Sequence, residues 1–169
     1  MATRKKTLYL IGGTMGVGKS TVCRELKGRL SDCVFLDGDW CWDADPFLVT
    51  EETKKMVIDN ICYLLNNFIH CTAYQHVVFG WVMHEQNIID TILKRLDTSH
   101  CEVKLISLMA DEECLRERIN RDVQNGQRKP DVFGRSVARL PLYRELDTVK
   151  IDTSHKTVPE IAEEIEALG

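Results

Sequence analysis

The chain of 169 residues has only four prolines and no low-complexity stretch or repeat, which argues against a disordered or fibrous protein. No apolar run is long enough to cross a bilayer, so a membrane is not expected as a partner. No secretory leader is read either. Met1 to Lys6 is polar and basic, and the apolar run after it, Leu8 to Ile11, is too short for a signal core. Basic residues form no block and the net charge is −4, so the footprint that nucleic acid requires is missing. The seven cysteines, Cys23, Cys33, Cys41, Cys62, Cys71, Cys101 and Cys114, include no CxxC pair and no Cys/His cluster at metal spacing. They read as reduced core thiols, and the expected location is the cytoplasm.

What is present is alternation. Short β-rich runs at Thr7–Gly12, Cys33–Leu36, His76–Trp81, Val103–Met109 and Val149–Ile151 are separated by segments of helical period. Thr50 suits a helix N-cap, and Val57, Ile61, Leu64, Leu65, Phe68 and Ile69 then share one face. Asp111 can cap the helix that carries Leu115 and Ile119, and Pro159 suits a first helical turn. Gln124–Pro130 has turn composition and reads as a mobile loop. Strands alternating with helices imply parallel pairing, so the expected fold is an α/β three-layer sandwich. No linker divides residues 1–169, which read as one domain.

The strongest motif is Gly13-Thr14-Met15-Gly16-Val17-Gly18-Lys19-Ser20, a complete G-x-x-x-x-G-K-[ST] placed between a strand and a helix. Its glycines let the backbone wrap around phosphates with N–H groups pointing inward, and the helix start faces the same oxygens. Lys19 can reach the β- and γ-phosphates, and the Ser20 hydroxyl suits Mg²⁺. Thr21 adds a hydroxyl close to the α-phosphate. This loop predicts ATP or a similar nucleoside triphosphate, but it occurs in ATPases, GTPases and kinases alike.

Strand two ends in Asp37-Gly38-Asp39, which puts two carboxylates at the crevice where parallel sheets bind ligands. Phosphoryl transfer to an alcohol needs an acceptor hydroxyl held in line, a destination for its proton and a carboxylate near the metal. The guanine-reading N-K-x-D is absent, and Val78-Phe79-Gly80-Trp81 ends strand three without an acid, which disfavours GTPase switches and motors. Arg116, Arg118 and Arg121 follow strand four, with Arg128 and Arg135 in or beside the loop beyond. Arg118 and Arg121, three apart, share a helix face.

Together these stretches resemble the small P-loop kinases: gluconate, shikimate and adenylylsulfate kinases, and more distantly nucleoside monophosphate kinases. The resemblance implies a five-stranded parallel sheet in order 2-3-1-4-5, a lid around residues 122–136, and Mg-ATP as donor. It implies Asp37 beside the Mg²⁺ water shell and Asp39 on the acceptor hydroxyl. It also implies Arg118 and Arg121 on adenine or the transferring phosphate, and Asp152-Thr153-Ser154-His155, with Thr153 as the binding residue, along the adenine edge.

No arginine lies between Trp40 and Glu85, where the acceptor pocket is expected, although relatives with anionic acceptors place arginines there. Trp40, Trp42 and Trp81, with Asp43 and Asp45, suit instead a neutral or cationic hydroxyl compound: a sugar, nucleoside, aminocyclitol or antibiotic. Two alternatives stand beside this one, a nucleoside monophosphate kinase and a non-catalytic nucleotide-binding regulatory protein. Oligomeric state is not legible.

Overall fold

Leu8, Leu10 and Ile11 lie at or near zero exposure in strand β1 (Lys6–Gly13), because this strand is central and covered on both faces. Each side chain of that kind contributes roughly 1.5–3 kcal/mol on burial. The computed structural model describes residues 5–169. In it, β1 pairs in parallel with β3 (His76–Gly80) on one side and β4 (Cys101–Met109) on the other. Outside these, β2 (Cys33–Asp37) joins β3 and β5 (Val149–Asp152) joins β4. The resulting order β2-β3-β1-β4-β5 is the expected one.

Helices cover both faces. One apolar cluster joins α2 (Glu51–His70) and α3 (Gln86–Arg95) to Leu8, Leu10, Leu36, Val77 and Phe79 of the sheet. The second joins α1 (Lys19–Arg29) and α6 (Val158–Glu166) to Tyr9, Ile11, Phe35, Val78, Ile106 and Leu108. Alternate residues of β1 therefore feed opposite layers, as strand geometry requires. Thr50 caps α2 through a reciprocal bond with Thr53, Asp111 caps α4 (Glu112–Gln124), and Thr157 with Glu160 caps α6.

The largest departure from the sequence reading lies beyond α4. Turn composition is followed not by irregular chain but by a helix of 13 residues, α5 (Val132–Arg144). It buries Val132, Ser136, Leu140 and Tyr143 and continues through Pro141. Val132 and Leu140 pack on Leu115 and Ile119 of α4 and on Met15, forming a small third cluster beside the phosphate loop. The Arg116 guanidinium, 4.3 Å from the Phe133 ring centroid, ties the same two helices at the surface.

Because all five strands run the same way, Gly13, Asp37, Gly80, Met109 and Asp152 end on one edge of the sheet. The site is built there.

Candidate active site

Between β1 and α1 the chain loops through residues 14–18, and two features force its path. Gly16 has φ +82°, and a Cβ there would sit 2.6 Å from Ile119 Cγ1 of α4. A larger residue would be strained and would push α4 away. Thr14 is fully buried and its Oγ1 donates to the Ser136 carbonyl at 2.7 Å, while Ser136 Oγ donates to the Met15 carbonyl at 2.5 Å. The loop is thus fastened to α5. Lys19 lies across it, its Nζ donating to the Gly13 and Thr14 carbonyls at 2.6 and 3.0 Å. Burial lowers the Lys19 pKa to about 8, against the opposing pull of Asp39.

Ser20 Oγ donates to Asp37 Oδ2 at 2.7 Å, which brings together the two residues expected to serve the metal. Hydroxyl and carboxylate oxygens side by side are the hard donors that Mg²⁺ prefers, so the pair fits that ion. The other Asp37 oxygen accepts the Asp39 backbone N–H at 3.0 Å and starts the one-turn 3₁₀ segment Gly38–Cys41. That turn aims the two carboxylates differently although they stand two residues apart. Gly38 permits it: a Cβ there would fall 2.3 Å from Trp81 Cγ. Asp39 lines the cleft with part of the residue exposed, while its carboxyl is partly enclosed by neighbouring groups. This desolvation, and secondly the Asp37 charge, raise its pKa above the ordinary carboxylate value.

These groups line a cleft of about 870 Å³. Along its floor run Met15, Gly16, Val17, Gly18, Lys19, Ser20 and Thr21, with Asp37 and Asp39 at one end. Trp42 and Phe47 also line the cleft, with ring centroids 4.2 Å apart, and Trp81 adds a third aromatic surface. Several expected residues lie elsewhere. Trp40 is absent from the lining; it is 57% exposed and its ring packs edge-on against Phe35. Thr153 is fully buried and turns inward, its Oγ1 donating to the Met109 carbonyl at 2.9 Å. Gly13 and Thr14 lie behind the loop and not on the cleft surface.

The arginines divide their work. Arg118 donates to the Val17 carbonyl at 3.0 Å and to Thr153 Oγ1 and O at 2.8 Å each, bracing the phosphate loop against the chain after β5. Arg121 is exposed and lines the cleft, as does Arg128, whose Nε donates to Asp122 at 2.8 Å. The sequence reading passed over Arg139 as a site residue. From α5 it lines the cleft half-buried, close enough to His84 to help burial lower that imidazole's pKa. Arg135, on the same helix, lines the cleft too and sits 3.4 Å from Asp131. His84 Nδ1 is buried without a hydrogen-bond partner among the described residues. The cleft therefore contains arginines, supplied from the later part of the chain and not from residues 40–85.

The family model described as AAA domain matches residues 10–139, most of the chain. The chain belongs to the AAA domain family. Within that family its likeness is to small kinases. A shikimate kinase of Dehalococcoides mccartyi is 29% identical over 175 residues, covering 96% of this chain and 92% of that protein. Among solved structures, the tunicamycin resistance protein of Deinococcus radiodurans superposes with TM-score 0.73 at 20% identity, covering 97% of this chain and 95% of that one. A gluconokinase from Sinorhizobium meliloti 1021 gives 0.70 at 19% identity, covering 98% and 92%. This AAA domain protein is a small P-loop kinase with the five-stranded parallel sheet in order 2-3-1-4-5. No helix among its described residues is long and apolar enough to cross a membrane.

Proposed function

We propose that this kinase transfers a phosphoryl group from ATP to the hydroxyl of a small molecule bound between Asp39 and the Trp42, Phe47 and Trp81 surfaces. The observation that carries this reading is the convergence of Lys19, Ser20, Asp37 and Asp39 at one end of a single cleft. ATP with Mg²⁺ supplies the activated phosphoryl group and neutralises part of its charge. The chain's own residues do the rest. Backbone N–H groups of residues 16–20 and the α1 N-terminus orient the phosphates, with Ser20 and Asp37 as the metal-side oxygens. Lys19 places its charge where negative charge builds up, joined from the cleft wall by Arg121 and Arg128. Asp39 accepts the hydroxyl proton, and its raised pKa brings it nearer to a matched general base. The segment around 122–136 acts as a lid, bringing Arg128 inward over the phosphates. The free thiols of all seven cysteines accord with work in the cytoplasm.

Two readings of the acceptor have separate support. A neutral or cationic hydroxyl compound, such as a sugar, nucleoside, aminocyclitol or antibiotic, is favoured by the three aromatic surfaces and by Asp43 in the cleft. An anionic acceptor, a hydroxy acid or a nucleoside monophosphate, is favoured by Arg139. That half-buried guanidinium has no ion pair or hydrogen bond among the described residues. The shikimate kinase relative and the gluconokinase neighbour are named for acids, and the Deinococcus protein for an antibiotic.

Phosphate transfer from labelled ATP across matched panels of neutral, cationic and anionic alcohols decides the acceptor class. If the acceptor is anionic, Arg139→Ala raises KM for it by roughly tenfold or more and leaves the nucleotide KM unchanged. An equal effect on neutral alcohols overturns that role. ATP binding with no transfer to any panel would leave the regulatory alternative in place of the kinase reading.

A further inference from the structure

At the N-terminus of α4, on the side of the molecule where β4 and β5 end, three side chains converge that the phosphoryl-transfer reading does not use. Asp111, Cys114 and His155 each offer a ligand atom, and the three atoms lie within 4.8 Å of one another. Asp111 Oδ2 is 3.5 Å from His155 Nε2, and Cys114 Sγ is 3.9 Å from the same nitrogen. The sequence conceals this group because 41 residues separate Cys114 from His155. Backbone geometry holds it. His155 has φ +59°, a left-handed conformation uncommon for a residue with a side chain, which fixes where its ring emerges. Just before it the chain is anchored to α4 by the Arg118–Thr153 bonds and by Ser154 Oγ on the Asp111 N–H at 2.8 Å.

We infer that Asp111, Cys114 and His155 form a binding site for one borderline-soft divalent cation of the Zn²⁺ class, with its fourth position open to solvent. The donor set, one sulfur, one imidazole nitrogen and one carboxylate oxygen, is of the kind that zinc takes, and unlike the all-oxygen pair Ser20–Asp37. Tetrahedral bonding at zinc distances would place sulfur and nitrogen about 3.5 Å apart and oxygen and nitrogen about 3.4 Å apart. The observed separations of 3.9 and 3.5 Å to the His155 nitrogen need closure by a few tenths of an ångström, and sulfur and carboxylate oxygen, within 4.8 Å of each other, are brought to bonding distance by rotation of the exposed Asp111 and His155 side chains. The His155 side chain is 82% exposed, so an ion has a direct path in. Binding forms S–M, N–M and O–M bonds and releases the Cys114 thiol proton to solvent; no oxidation is involved. The ion would add a further tie between α4, which carries Arg118, and the chain that Arg118 holds.

Co²⁺ serves as the probe, titrated into the intact nucleotide-free protein under reducing conditions without chelating thiols. The expected result is a near-ultraviolet thiolate-to-cobalt charge-transfer band that saturates at one equivalent and is displaced by Zn²⁺. Cys114→Ser abolishes the band. His155→Asn, which tolerates the left-handed conformation, weakens binding by about tenfold or more while its metal-free circular dichroism and Tm match the parent protein. The proposal is overturned if no band forms at one equivalent. It is equally overturned if the band survives Cys114→Ser, as exposed Cys71 or another thiol would allow, or if His155→Asn leaves the affinity unchanged.

Discussion

Burial at the foot of α1 holds the Lys19 ammonium at a pKa of about 8, whereas in the unfolded chain it returns to about 10.5. Between those values the unfolded chain binds a proton that the folded chain has lost, so this residue's share of stability rises with pH across that window. Below pH 8 both forms are charged and the burial cost stands in full. Lys19→Met is therefore expected to be more stable than the parent protein at pH 7, with the gap in urea midpoints closing as pH approaches 10.5. The same poise predicts proton uptake when phosphates surround the amine: roughly half a proton per nucleotide bound at pH 8. Calorimetry in two buffers of different ionisation enthalpy measures it, and a zero result removes Lys19 from the phosphate site. Asp39 is shifted the other way for its type. With its carboxyl pKa raised, the acid limb of kcat/KM is expected higher than an ordinary aspartate would give, activity falling as pH drops through it. Asp39→Asn should lower kcat by about 10²-fold or more with nucleotide affinity little changed. Unchanged turnover would take the base role from Asp39.

At the scale of elements, the turn from β2 into the 3₁₀ segment depends on Gly38 lying flat against Trp81. A methyl group there meets the indole at 2.3 Å, so either Trp81 or the Asp37–Asp39 turn must move. Gly38→Ala is expected to cost about 1–3 kcal/mol, read as a lower urea midpoint. It should also reduce kcat by more than that loss of folded population explains, since both carboxylates hang on the turn. Full activity in the folded variant would show that Trp81 yields alone. The strands were legible because central parallel strands carry unbroken apolar runs, of which Leu8–Ile11 is the plainest. Helix α5 was not. Its buried stripe runs Val132, Ser136, Leu140, Tyr143, and the serine interrupts the apolar period because its hydroxyl serves the phosphate loop. Gly134 and Pro141 further disguise it as loop. Missing that helix meant missing Arg139, and the cleft then read as poorer in cations than it is. The position of the phosphate loop between β1 and α1, by contrast, was legible because backbone geometry demands its residue types at fixed spacing. The inward turn of Thr153 and the outward turn of Trp40 depend on tertiary packing that no local pattern records.

For the whole molecule, the contrast between sheet and cap sets where motion belongs. Two apolar clusters bind α1, α2, α3 and α6 to the sheet, and the first takes in Tyr143 at the C-terminal end of α5, whereas α4 and the rest of α5 share a smaller third cluster centred on four buried residues, Leu115, Ile119, Val132 and Leu140. The connection between them, residues 125–131, is almost entirely exposed and carries Arg128, held by an ion pair with Asp122 of modest strength at such exposure. Regions with few buried contacts open locally at low free energy, and lids are drawn from them. Nucleotide phosphates offer Arg128 and Arg121 stronger partners than Asp122 does, so binding should shift this segment inward. Amide hydrogen exchange with and without a non-hydrolysable ATP analogue tests the motion. Slower exchange is expected across residues 122–136 and in the phosphate loop, beyond the uniform slowing that ligand binding gives to any amide of β1, β3 and β4 that exchanges through global unfolding. Arg128→Ala should retain the loop protection and lose most of the added protection at 122–136. Exchange at 122–136 that ignores the nucleotide would assign these residues to a fixed wall, leaving Arg121 and Lys19 to meet the phosphates without closure.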